Sequence, residues 1–427
     1  MRLFEFYAAY LLPRTGEPMC SPCLPFGQPH RVAPTYLLPS MPRYLLSLLL
    51  TCFAILSVAP AVALDYVTFR ENGKKVTRDG REIIRIRQDG DIKIVLEERD
   101  GYWRIISEKS ILEKWSDDIA FEPYTRDEMK KRLKAEFPKE FRITETQRYL
   151  IVSDTTPAYA TLCGELLEQL DTAFLANWQA KGLELTEPEF PLVAVIFADY
   201  GNFVRCTRDE VGPSITQISA FYNQQSNRIV FYDLTGREVY GGVRAPTSQR
   251  IREILSRPDS AKAVATFIHE ATHQISFNCG MFQRYAACPV WVSEGIATLY
   301  ETPDFNSVKA WSSDVKVNSN RLSRFYRYYV ERNPQEPMKK LVLSDDSFQF
   351  ANGEVMLDSY AVCWTMMYYL NDKHDKRLVA YLKTLSQKQP FIQTDRETRL
   401  REFETAFTAD WERLHRTVYQ YVLALGQ

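Results

Sequence analysis

The segment Phe267–Phe277, FIHEATHQISF, places two histidines and a glutamate inside an otherwise apolar run, in a chain that holds only 5 histidines. On an α-helix, residues four apart share a face, so His269 and His273 can turn both imidazoles toward one point. Glu270 then sits about 100° round the helix axis from His269, beside that point rather than behind it. Val264, Phe267, Ile268, Ala271 and Ile275 form the apolar stripe that buries the helix. The pattern predicts a helix over about residues 260–278. Polar residues exposed on a helix would explain it, and so would a bound divalent metal. In the second case, two neutral imidazoles are the ligands and the carboxylate handles a proton of a metal-bound water.

The downstream segment VWVSEGIATLYE bears on this choice. A catalytic zinc ion takes three protein ligands and leaves the fourth position to water. Glu294 is spaced so that a following antiparallel helix can bring it across the metal. Glu301, seven residues on, falls on the same face and can accept a hydrogen bond from a ligand histidine. The expected metal ligands are therefore His269, His273 and Glu294, with Zn2+ as the ion, Glu270 as general base and Glu301 orienting a ligand.

HEATH followed by WVSEGIATLYE resembles the gluzincin metallopeptidases, the clan of thermolysin and aminopeptidase N. The W-x-x-E-G-x-A segment is similar to that of the aminopeptidase N type. The order of elements looks like that of a family of uncharacterised exported bacterial proteins regarded as metallopeptidases. The motif-level likeness covers about residues 260–305 and a looser one about 140–370. It implies a zincin-like catalytic domain, peptide substrates, zinc on His269, His273 and Glu294, and Glu270 as base. It also implies an oxyanion-stabilising tyrosine, for which LDSYAVCWTMMYYL offers Tyr360, a phenol able to donate to a tetrahedral intermediate. A buried tyrosine packing in that aromatic helix is the alternative. One departure matters: the Gly-x-Met-Glu-Asn segment that binds a substrate amine in such aminopeptidases has no counterpart in ITQISAFYNQQSNRIVFYD. Amino-terminal exopeptidase activity is therefore unsupported. Either Gln217–Tyr222 or Arg228–Tyr232 is a candidate edge strand for an extended peptide.

The surroundings agree with an exported enzyme. The 53 basic and 54 acidic residues nearly cancel, so no long-range field steers the chain to nucleic acid or to an anionic membrane. From Met41, a basic residue, an apolar run from Leu45 to Val58 and Ala61-Val62-Ala63 have the layout of a signal peptide over residues 41–63. Its removal leaves no membrane span, and residues 1–40, with Cys20 and Cys23, form a leader without an evident role. Residues 64–110 contain Asn72-Gly73, Asp79-Gly80, Asp89-Gly90 and Asp100-Gly101, four hairpin signals that predict a small antiparallel meander or SH3-like barrel. Residues 111–140 read as a connector, with Thr125 and Glu128 as a capping box. Residues 141–427 read as the catalytic domain: an α/β part to residue 258 with a loop from Gly236 to Pro258, then a helical part. The fold class is α+β. Of the remaining cysteines, Cys279 and Cys288 bracket a short loop and are the expected disulfide pair. His374 and His415, among charges and with no partner at ligand spacing, read as solvated surface. Rival functions are a non-catalytic zinc-containing scaffold that holds a peptide or cell-wall ligand, an adhesion protein acting through its β domain, and a zinc hydrolase of non-peptide amides.

Overall fold

The computed structural model describes residues 63–426 apart from 213–214, 217, 237–246, 306, 308, 312–314, 335 and 349–352. The leader and signal-peptide readings for residues 1–62, with Cys20 and Cys23, lie outside the described residues. The protein is mixed α+β, with an amino-terminal antiparallel sheet and a helical carboxy-terminal half. Among the described residues no helix is long and apolar enough to cross a membrane.

Strands β1 (Ala63–Glu71), β2 (Lys74–Gln88), β3 (Asp91–Glu98), β4 (Trp103–Ser107) and β5 (Ile111–Ala120) form the first sheet, in the order β4-β3-β2-β1-β5. Asn72-Gly73 and Asp89-Gly90 turn their hairpins with both residues at positive φ, as tight two-residue turns require. Asp79-Gly80 does not turn the chain, contrary to its dipeptide signal. It lies within β2, where a Cβ on Gly80 would stand 2.3 Å from the Glu97 carbonyl oxygen, so glycine serves the close approach of β3. β5 pairs with β1 and occupies residues that the sequence gives to a connector. Leu112, Trp115 and Ile119 are exposed on this edge strand, which blurs the alternation by which a strand is read. Helix α1 (Arg126–Glu136) follows with the expected Thr125–Glu128 capping box.

The second sheet is mixed. Strands β6 (Arg142–Glu145), β7 (Tyr149–Ser153), β8 (Leu192–Phe197), β9 (Ala220–Asn223) and β10 (Arg228–Tyr232) lie in the order β6-β7-β8-β10-β9. Helix α2 (Pro157–Ala180) makes the crossover between the parallel strands β7 and β8. β10 pairs with β8 on one side and β9 on the other, so of the two candidate strands β9 is the one at an edge, and the Arg228–Tyr232 candidate for peptide pairing is withdrawn. Two helices escape the sequence reading: α3 (Tyr200–Val211), capped by Asp199, and α4 (Ser248–Leu255), capped by Thr247 inside the stretch read as loop. Both are short, and their start signals are single side chains.

Helices α5 (Ala261–Asn278), α6 (Val290–Tyr300), α7 (Ser319–Arg332), α8 (Pro337–Leu343), α9 (Gly353–Lys373), α10 (Asp375–Ser386), α11 (Arg396–Ala406) and α12 (Trp411–Leu425) complete the chain. One continuous apolar core joins the second sheet to these helices. Cys279 and Cys288 are both buried and unbonded, correcting the expected disulfide. Their sulfurs face different main-chain carbonyls, those of Ser276 and Pro289, and burial pushes the Cys279 thiol up to about 12.

The first sheet is bolted to the loop after α5 by Arg284. Its guanidinium donates to Glu97 Oε1 at 2.6 Å, to the Gly101 carbonyl at 2.7 Å and to the Gln224 carbonyl at 3.0 Å, and lies 4.6 Å from the Trp103 ring centre. Both charged side chains are nearly inaccessible, at 5% and 4% exposure. Removing one member of a buried pair leaves its partner desolvated. Arg81 still reaches Glu97, which softens the loss. Arg284→Met is expected to lower stability by about 3 kcal/mol, measured as a shift in the urea unfolding midpoint.

Candidate metal centre

Helix α5 is held in rotation by its own polar residues. Gln274 Nε2 donates to the carbonyls of Val193 (3.1 Å) and Asn227 (2.8 Å), pinning the helix to β8 and to the residue before β10. On the same side Phe267 packs on Phe231, ring centres 4.3 Å apart. With that face fixed, His269 and His273 are turned toward α6. Helix α6 is anchored by the fully buried Trp291, against Tyr381 and Phe403. Gly295 lets it approach α9 closely: a Cβ there would stand 3.0 Å from Met367 Cβ. The neighbouring Glu294 is thereby carried to the imidazoles, with Tyr360 of α9 beside it.

His269 Nε2 lies 2.8 Å from Glu294 Oε2 and 3.1 Å from His273 Nε2, and His273 Nε2 lies 3.5 Å from Glu294 Oε1. Four-coordinate zinc with bonds of about 2.0–2.1 Å separates its ligand atoms by about 3.3 Å. The triangle therefore has the size of one face of such a tetrahedron. The three residues are the metal-capable group of His, Cys, Asp and Glu found among the described residues, their ligand atoms all within 4.8 Å of one another.

The donor set fits a cation for a second reason. Glu301 Oε1 stands 2.9 Å from His269 Nδ1 and Glu294 Oε2 2.8 Å from Nε2, and a carboxylate only accepts, so a neutral imidazole gives its proton to one of them and turns its lone pair to the other. Two acceptors 2.8 Å apart need a positive charge between them. Without a metal ion that charge is a second proton. Burial opposes it, but hydrogen bonds to Glu294 and Glu301 outweigh burial and raise His269 to about 10. Glu294 is depressed in turn: burial would raise it, and the charge of His273 and the bond from His269 overcome that. Glu301 falls to about 2, against burial, chiefly through Arg321. Its Oε2 also accepts from Asn318 Nδ2 at 2.7 Å and from Arg321 Nε at 2.9 Å. Arg321 thus offsets Glu301, which it bonds, and acts on Glu294 at longer range, while the ring between the two carboxylates still calls for a further positive charge that a divalent cation would supply.

Glu270 is half-buried, and its Oε2 accepts the main-chain N–H of Tyr222, on edge strand β9, at 2.9 Å. Burial raises its pKa, the trend expected of a group that takes up a proton. The Tyr360 ring lies 5.7 Å from that of His269, edge to face, and burial holds its phenol well above the usual range. Every expected site residue, His269, Glu270, His273, Glu294, Glu301 and Tyr360, is therefore in one place. Three contributions escaped sequence reasoning: Arg321, Asn318 and the Tyr222 amide. The Asn318 side chain caps α7, which a start-signal search can find, but its bond to Glu301 depends on how the helices pack. His374 and His415 are not plain solvated surface. Each is half-buried against a tyrosine, with Tyr369 Oη 3.2 Å from His374 Nε2 and Tyr329 Oη 3.4 Å from His415 Nδ1.

Residues 263–392, a span that contains His269, Glu270, His273, Glu294, Glu301, Asn318, Arg321 and Tyr360, match a family described as a protein of unknown function (DUF1570). No curated protein matches the chain.

Because the metal-free His269 ring keeps its second proton up to about 10, binding of a divalent ion at neutral pH is expected to release about one proton. Apparent affinity then rises about tenfold per pH unit up to about pH 9. Titration calorimetry in buffers of different ionisation enthalpy counts the proton, and pH-independent binding would contradict the arrangement.

Proposed function

We propose that this protein is an exported zinc-dependent peptidase of gluzincin type, with a zincin-like catalytic domain. The observation that carries the reading is the convergence of His269, His273 and Glu294 on one point, with a carboxylate, Glu270, held beside them and outside the ligand set. A scaffold that only bound zinc would need the three ligands and no base. Zinc is the ion because two imidazoles and one carboxylate, with a position left to water, are its usual catalytic set. When bound it supplies Lewis acidity to a water and to the scissile carbonyl.

The chain's own residues do the rest. The Tyr222 N–H fixes Glu270 Oε2, leaving Oε1 to take the proton of the attacking water and later hand it to the leaving amine. Tyr360, whose phenol stays protonated through the working range, donates a hydrogen bond to the developing oxyanion. Glu301 keeps His269 in the tautomer that presents Nε2. β9 is the sheet edge beside the base, and an extended peptide added to it would pass its carbonyl across the site. With no amine-binding glutamate segment, recognition of a substrate's free amino terminus is unsupported.

Glu270→Gln is expected to abolish hydrolysis while zinc content stays near one per chain, and His273→Ala to empty the site. Elemental analysis and a chelator-sensitive digest of a peptide library check both. Zinc bound at full occupancy with no cleavage of any peptide would favour a scaffold instead.

A further inference from the structure

Arg321 is the one cation in direct contact with both halves of the site, among the described residues. Its Nε and Nη2 form a two-pronged bond to Glu301, at 2.9 Å to Oε2 and 2.6 Å to Oε1. The same guanidinium lies 5.1 Å from the centre of the Tyr360 ring. Glu301 is itself nearly inaccessible, 4% exposed, and its Oε1 is the atom that faces His269 Nδ1. The first turn of α7 locks this in: Asn318 accepts the Arg321 main-chain N–H at 3.1 Å and donates to Glu301 at 2.7 Å. On the far side Phe348 meets the Tyr360 ring edge-on at 5.5 Å.

We propose that Arg321 is a positioning residue that sets the metal-ligand geometry and the oxyanion donor together. This rests on the hydrolytic reading above for its second half only, since the link to His269 needs no reaction. The physical reason is the fork. A planar guanidinium can bind a carboxylate with two parallel bonds while its face covers an aromatic ring, and an ammonium cannot do both. Glu301, held ionised and fixed in plane, keeps the proton of His269 on Nδ1 and the lone pair of Nε2 toward the ion. The ring of Tyr360, held against the guanidinium, is kept from swinging out of the cleft. Each task in isolation could fall to another residue. Their assignment to one side chain means that a change at position 321 reaches ligand and phenol at once.

The test compares wild type, Arg321→Lys, Arg321→Met, Tyr360→Phe and the Arg321→Met/Tyr360→Phe double variant, after circular dichroism has established that each is folded. Zinc affinity is read by chelator competition, the ligand field by the visible spectrum of the Co2+ form, and kcat and KM at saturating zinc. Expected for Arg321→Met is a loss of about ten- to a hundredfold in zinc affinity, a changed Co2+ spectrum, and a fall in kcat with KM little altered. Arg321→Lys should recover folding stability but neither the spectrum nor kcat. Tyr360→Phe should keep wild-type zinc affinity, and the double variant should lose no more kcat than the Arg321 change alone. Wild-type zinc affinity and Co2+ spectrum in Arg321→Met would overturn the ligand half, and additive kcat losses in the double variant the phenol half. If wild type binds zinc and cleaves nothing, the hydrolase reading and the phenol half fall, while the affinity and spectral arms still decide the ligand half.

Discussion

The His269 ring, bonded at both nitrogens to carboxylates from the middle and the carboxy-terminal cap of α6, is the interaction on which the site depends. Glu294 approaches Nε2 at 2.8 Å and Glu301 approaches Nδ1 at 2.9 Å. A neutral imidazole has one donor and one acceptor, so it cannot satisfy two anions without a further positive charge. That requirement calls for a positive charge here, a proton or a metal ion, before any metal geometry is considered. It also explains why Arg321 and Asn318 are drawn in: Glu301 is buried on the same ring as Glu294, and without their bonds it would lose its hydration uncompensated.

The fold answers this demand with rigid supports. Gln274 holds α5 to the sheet through two main-chain carbonyls, and Gly295 allows α6 and α9 to lie nearly in backbone contact. Close helix packing matters because a ligand set tolerates only small errors, and side chains carried by helices with packed faces are placed better than those on loops. The amino-terminal sheet joins the same framework. Arg284 ties Glu97 to the β9–β10 turn at Gln224, two residues from Tyr222, whose amide holds Glu270. The small sheet is therefore part of the wall behind the edge strand.

Much of this was legible in residue order. The periodicity of FIHEATHQISF gave the helix and its polar face, and the spacing of Glu294 and Glu301 placed both on one side of α6. The capping box at Thr125 and the turns at Asn72-Gly73 and Asp89-Gly90 were equally plain, because each is a contact among near neighbours. The failures have one cause. Asp79-Gly80 carries a turn's chemistry, but the approach of β3 decides its conformation. Cys279 and Cys288 are close in sequence, but neighbouring packing sends their sulfurs apart. Arg228–Tyr232 has the composition of any strand, and only its pairing with β8 removes it from the edge.

By itself, then, the order of residues determined the donor types, the helical turn between the imidazoles and the face each carboxylate occupies, since these follow from a pitch of about 3.6 residues. Tertiary structure decided which oxygen meets which nitrogen, which strand lies at the sheet edge, and that a guanidinium from α7 completes the charge balance. Those outcomes depend on how separate elements pack, and local propensity carries no information about the direction from which a distant helix arrives.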